Sequence, residues 1–145
     1  MENQELLNRF AAACRNVGLK LTHQRLEIYS ELATATDHPS AETLHRRLKK
    51  RIPTISLDTV YRTLFTFKQH ELIQKVETVE SQARFEVRHE QHHHLICKEC
   101  HEIMDFRWPS IDSATLPQEI GIWGRIESKN VVVYGICNKC LRTIP

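Results

Sequence analysis

Long apolar runs are missing from this chain. No segment approaches the roughly eighteen consecutive apolar residues of a membrane-crossing helix, and the first residues lack the apolar core of a secretory leader. The expected compartment is therefore the cytoplasm, where thiols stay reduced. His-Glu-x-x-His is absent, as is His-x-Glu followed by Pro-Cys-x-x-Cys, so the signatures of metalloproteases and zinc deaminases are both lacking. The expectation is a protein that is not an enzyme. Strong charge of one sign is also lacking, with a formal net charge of only +2 over 145 residues.

Cysteine is present, and in a pattern. Four of the five cysteines form two Cys-x-x-Cys pairs, Cys97/Cys100 and Cys137/Cys140. In a reducing compartment such pairs read as metal ligands before they read as disulfides. Four thiolates complete a tetrahedral Zn(II) centre and leave no position for water or substrate, which makes such a site structural. A redox pair and a four-cysteine iron centre are the alternatives. Cys14 stands apart, spaced from Phe10 and Val17 so as to lie on the buried stripe of a first helix, where a thiol packs as a small hydrophobe. Just ahead of the first pair runs His92-His93-His94, available to another metal. In a strand His92 and His94 share one face and His93 takes the other.

The length permits one domain or two small ones, and composition favours two. Residues 1–88 read as helices followed by a hairpin, whereas 92–145 are cysteine- and histidine-rich with β-favouring runs such as Val131 to Tyr134, so the expected fold is α+β with a hinge at about 89–91. Acidic and basic side chains balance in the second part. The positive excess lies upstream, where His45, Arg46, Arg47, Lys49, Lys50 and Arg51 form a cluster that suits either phosphates or a solvated helix face.

Apolar spacing predicts four helices in the first part. Residues 4–17 carry Leu6, Leu7, Phe10, Ala11, Cys14 and Val17 and stop at Gly18. A second helix starts after the N-cap Thr22 and buries Leu26, Tyr29, Leu32 and Ala33. The third starts at Pro39-Ser40, buries Leu44 and Leu48, and is closed by Pro53. The fourth is capped by Ser56 and packs Leu57, Val60, Leu64 and Phe67 inward, leaving Asp58, Thr59, Arg62 and Thr66 opposite and Tyr61 on the flank. Leu72 to Val79 and Ala83 to Val87 then alternate around Glu80-Ser81-Gln82 as a hairpin. Helices followed by a β-wing make a winged helix, which lays its last helix in the major groove of double-stranded DNA. Thr59, Tyr61, Arg62 and Thr66 are the expected base-facing residues, with Arg46, Arg47 and Lys49 on phosphates.

Taken together and in order, Leu21-Thr22-His23-Gln24-Arg25, His38-Pro39-Ser40-Ala41-Glu42, Thr59-Val60-Tyr61-Arg62-Thr63-Leu64 and His92-His93-His94-Leu95-Ile96-Cys97-Lys98-Glu99-Cys100 resemble the ferric uptake regulator family. The resemblance runs from about residue 15 to Cys140. It implies a dimeric, metal-dependent transcriptional repressor, with an N-terminal winged-helix domain joined to a small C-terminal α/β dimerisation domain that holds structural zinc on the four cysteines. The final strand, Ile126 to Tyr134, is expected to form much of the dimer interface, or else to be internal.

The same resemblance implies a regulatory metal, Fe(II) or Mn(II), on His38, Glu86, His92, His94 and Asp105. Asp105 is like the peroxide-sensing branch of the family, where iron sensors carry Glu, and Glu86 is like the iron sensors. The peroxide-sensing branch is favoured. It implies Fe(II)-dependent oxidation of His38 or His92 by hydrogen peroxide as the signal, with an iron-responsive regulator as the alternative. A zinc enzyme or a non-sensing zinc module is more remote. Two departures from the family pattern, His101 after the first Cys-x-x-Cys and Glu71 before Leu72-Ile73, replace glycines and predict the loss of a residue suited to positive φ at each place.

Overall fold

Three side-chain hydroxyls start three helices. Thr22, Ser40 and Ser56 hold extended backbone, and each accepts a hydrogen bond from the amide three residues on, those of Arg25, Thr43 and Thr59, at 3.1–3.2 Å. They open α2 (His23–Ala33), α3 (Ala41–Leu48) and α4 (Leu57–Gln69), which follow α1 (Glu2–Val17). A hairpin comes next, β1 (Ile73–Val76) paired antiparallel with β2 (Arg84–Val87), with Gln74 opposite Glu86. The computed structural model describes residues 2–76, 82–87 and 91–144, so the expected extension of the hairpin through 77–81 and most of the expected hinge lie outside the described residues. The chain divides into two compact units, Met1–Arg88 and His89–Pro145.

The core of the first unit is aromatic at its centre. Phe10 of α1 stacks on Tyr29 of α2 at 4.3 Å between centroids, and both meet Phe67 of α4 edge-on. Leu32, Leu44, Leu48, Val60 and Leu64 close around them. Ile28, left out of the expected stripe, is fully buried, whereas Leu26 and Ala33 are only partly covered. Val17 is exposed rather than buried, because it lies in the last turn where α1 ends. Helix α3 stops at Leu48, well before Pro53, since the amides of Arg51 and Ile52 both turn back to the Leu48 carbonyl. That turn brings Ile55 into the core.

Helices α1 and α4 end alike. After α1 the amides of Gly18 and Leu19 bond the carbonyls of Arg15 and Cys14, and after α4 those of Glu71 and Leu72 bond Lys68 and Phe67. This pairing requires a left-handed residue past the helix end, which is Gly18 at φ 71° and Glu71 at φ 60°. Loss of the glycine therefore did not change the backbone. The chain keeps the turn and bears the strain.

In the second unit β3 (His93–Cys97) is central, antiparallel to β4 (Ile103–Phe106) and parallel to β5 (Val132–Gly135). The crossover from β4 to β5 contains α5 (Pro109–Asp112) and α6 (Gln118–Trp123), and α7 (Asn138–Leu141) follows β5. The last strand is thus shorter than expected and lies at the sheet edge. It begins late because the Lys129 carbonyl and the Val131 amide bond the Gln91 and His93 side chains instead of a neighbouring strand. No helix among the described residues is long and apolar enough to cross a membrane.

Relief of the strain at Glu71 is measurable. Glu71→Gly is expected to raise stability by about 1 kcal/mol, the rough cost of left-handed backbone for a residue bearing Cβ, whereas Glu71→Val lowers it. Urea unfolding midpoints check both, and a less stable glycine variant would contradict the strain.

Candidate metal centres

The four paired cysteines converge. Cys97 ends β3, Cys100 lies in the turn after it, Cys137 precedes α7 and Cys140 lies within it. Their sulfurs all fall within 4.8 Å of one another, with Cys97 to Cys140 and Cys100 to Cys137 both at 3.8 Å. A zinc–thiolate tetrahedron with bonds of about 2.3 Å has edges of about 3.8 Å, which these two separations match. The turn forms through the His101 amide, which bonds the Cys97 carbonyl at 3.0 Å while His101 adopts φ 64°. As at Glu71, the positive φ survives without glycine.

Electrostatics make the cage incomplete by itself. Amides of Cys100 and Cys137 aim at the Cys97 sulfur and draw its thiol down to about 6, whereas hydrogen bonding with the Cys137 thiol pushes Cys140 up to about 12. Four sulfurs this close cannot all ionise unless a cation neutralises them. Cys14, by contrast, is buried in the helical core, which raises its thiol above the ordinary range and keeps it inert.

A second kind of donor set lies in the first unit. His38 Nε2 stands 2.9 Å from Glu86 Oε2, and the two side chains are only 10% and 7% exposed. Glu86 Oε1 accepts from the amide of Gln74, its cross-strand partner. His38 has φ 49°, and the Arg84 guanidinium donates to its carbonyl at 2.8 Å and to that of Asp37 at 3.2 Å. The Asp37 carboxylate in turn pairs with Arg47, whose hydrogen bond holds it below the usual carboxylate range. Gln74, Arg84 and Asp37 were absent from the expected site. Counting across the expected loop 80–82 pairs Glu86 with Val76 instead of Gln74, and nothing in the spacing reveals a side chain bound to the carbonyl of another loop.

The second unit carries a donor set of its own. His92 and His94 are buried with ring centroids 4.9 Å apart, and Asp105 Oδ1 lies 3.8 Å and 3.4 Å from their Nε2 atoms. Asp105 faces His94 directly across β3 and β4. His93 points away, fully buried, accepting from the Val131 amide on Nδ1 at 2.9 Å and meeting Asp112 with Nε2 at 2.7 Å. Both of its nitrogens are engaged, so it offers no ligand. An imidazole and carboxylate set of this kind suits Fe(II), Mn(II) or Zn(II).

The expected DNA-facing side chains lie on α3, its C-cap Lys49 and α4. On α4 Tyr61 and Arg62 are exposed and Thr59 and Thr66 are partly covered. Tyr61 donates to Glu42 of α3, and Arg62 pairs with Asp58 one turn earlier. Within the basic cluster Arg46 and Lys49 are exposed, Arg47 is half-covered against Asp37, Arg51 bridges Glu27 and Glu31, and His45 bonds the Ile55 carbonyl.

Residues 16–121 match the ferric uptake regulator family. The chain is 30% identical over 135 residues to the peroxide-responsive repressor PerR of Staphylococcus epidermidis, covering 92% of this chain and 89% of that protein. Its fold superposes on the Helicobacter pylori ferric uptake regulator Fur, a structure with three functional metal binding sites, with a TM-score of 0.75 at 26% identity, covering 96% of this chain and 93% of that one. The peroxide sensor PerR from Streptococcus pyogenes aligns with a TM-score of 0.53 at 24% identity over 91% and 90% of the two chains, a likeness of fold alone.

Removing one thiolate tests the cage. Cys100→Ser is expected to drop bound zinc from about one ion per chain to near none and to unfold the second unit, because binding energy at such sites is folding energy. Elemental analysis with far-ultraviolet circular dichroism reads both, and full zinc retention would contradict the four-cysteine centre.

Proposed function

Because the chain belongs to the ferric uptake regulator family, we propose that it is a peroxide-responsive repressor in which one regulatory cation takes ligands from both units. Family members are metal-dependent transcriptional regulators rather than enzymes, and they bind operator DNA as dimers. The observation that carries the finer reading is the group of His92, His94 and Asp105, with aspartate where the resemblance drawn above places glutamate in iron sensors. Relatives named as peroxide-responsive repressors support it. The second reading, an iron-responsive regulator, is favoured by Glu86 and by the Fur fold match.

Zn(II) stays in the cysteine cage, and Fe(II) or Mn(II) is the exchangeable ion on His38, Glu86, His92, His94 and Asp105. Five donors divided between two units convert binding energy into a fixed angle between them, which sets the spacing of two reading helices in a dimer. Fe(II), when bound, supplies the redox chemistry: one hydrogen peroxide and one imidazole give one water and an imidazole with one added oxygen. His38 or His92 takes that oxygen. The oxidised ring is a poorer donor, the two units are released from their fixed angle, and the repressor leaves DNA in the cytoplasm. Mn(II) in the same place leaves the rings intact.

On DNA, Thr59, Tyr61, Arg62 and Thr66 meet base edges while Arg46 and Lys49 meet phosphates. Asp58 and Glu42 hold Arg62 and Tyr61 until DNA displaces them. A second copy of the chain covers the open sheet face, where Leu95, Met104 and Val133 form one cross-strand row and are 40%, 58% and 40% exposed. Edge strand β5 borders that face.

Peptide mass spectrometry of Fe(II)-loaded protein exposed to hydrogen peroxide tests the reading. The expected result is one added oxygen on the His38 or His92 peptide and none in the Mn(II) form. An unmodified protein that still requires iron for DNA binding would favour the iron-responsive reading.

A further inference from the structure

We propose that Arg47 and Arg84 form a two-guanidinium clamp on the loop that presents His38, so that Arg47 relays the position of that loop to α3 instead of contacting DNA phosphate. The inference rests on the functional reading above and adds positioning residues to it.

The loop between α2 and α3 is held from two sides. From β2, Arg84 Nη1 donates to the carbonyls of Asp37 and His38, and the Phe85 amide donates to the Pro39 carbonyl at 3.0 Å. From the last turn of α3, Arg47 grips both oxygens of Asp37. Between these anchors His38 holds φ 49°, a conformation that a residue with a side chain keeps only where its surroundings impose it. Arg84 and Glu86 alternate along β2 and therefore share a face. One strand thus delivers a ligand and the group that fixes its partner ligand.

Arg47 is the outward end of this arrangement. Its planar fork is already matched to a carboxylate, and a phosphate contact would exchange one charge-assisted pair for another. Its neighbours Arg46 and Lys49 are more exposed and serve phosphate without that loss. Helix α3 also holds Tyr61 of α4 through Glu42 in its first turn. A shift of His38 as a cation binds is therefore passed by Asp37 to Arg47, along one rigid helix, to the tyrosine on the DNA-facing side.

The test uses full-length zinc-loaded protein and a duplex selected from a random-sequence pool by the wild type with Mn(II). DNA affinity is measured against salt and against Mn(II), and Mn(II) affinity is measured separately by calorimetry. Arg84→Met is expected to weaken Mn(II) binding by about 10–100-fold, as losses of supporting groups around metal ligands do. Arg47→Met is expected to leave the salt slope intact and to raise the Mn(II) requirement for DNA binding up to about five-fold, in keeping with a partly exposed pair. Arg47→Lys, which preserves charge but not the fork, is expected to match Arg47→Met. A loss of about 1.8 in the slope for Arg47→Met, about 0.9 for each chain of the dimer, or wild-type behaviour of Arg47→Lys, would make Arg47 a phosphate contact and overturn the relay. Unchanged slope together with an unchanged Mn(II) requirement also overturns it. Wild-type protein that binds its duplex equally well without Mn(II) overturns the functional reading itself.

Discussion

An imidazole nitrogen held 2.9 Å from a carboxylate oxygen in a place mostly closed to water, as His38 is from Glu86, is the constraint from which the rest follows. A carboxylate taken out of solvent beside an imidazole needs a hydrogen-bond donor or a cation, either the N–H of the ring or a divalent metal. The second unit repeats the arrangement with His92, His94 and Asp105. Two or three donors hold a cation weakly, and five hold it well. An ion that needs both sets can therefore favour one arrangement of the units over others, by as much as its affinities for those arrangements differ.

The cysteine cage obeys the opposite logic. All four sulfurs belong to one unit and lie within 4.8 Å of one another, so a zinc ion held by all four would have no open position and would tie together β3, the following turn and α7. Nitrogen and oxygen donors exchange their ion more readily than four thiolates do. On the proposed reading, a permanent metal and an exchangeable one are separated by ligand chemistry and by the number of units that contribute.

Local rules made much of this visible in the amino-acid order. Thr22, Ser40 and Ser56 cap the helices that their spacing announces, the two Cys-x-x-Cys pairs meet, and His92 and His94 share a face because strand side chains alternate. What stayed hidden depends on contacts between distant segments. Asp112 locks His93 from nineteen residues away, and Arg84 binds a carbonyl forty-six residues upstream, neither of which leaves a periodic trace. Glu71 and His101 misled for another reason: hydrogen bonds of the surrounding turns impose a left-handed backbone that composition alone assigns to glycine.

The most direct measurement is the stoichiometry of Mn(II), read by electron paramagnetic resonance, in zinc-loaded protein lacking one donor set at a time. A shared cation predicts one tight Mn(II) per chain in the wild type and none in either His38→Ala/Glu86→Ala or His94→Ala/Asp105→Ala. Full retention of that ion by either double variant would show that the two sets do not serve the same metal.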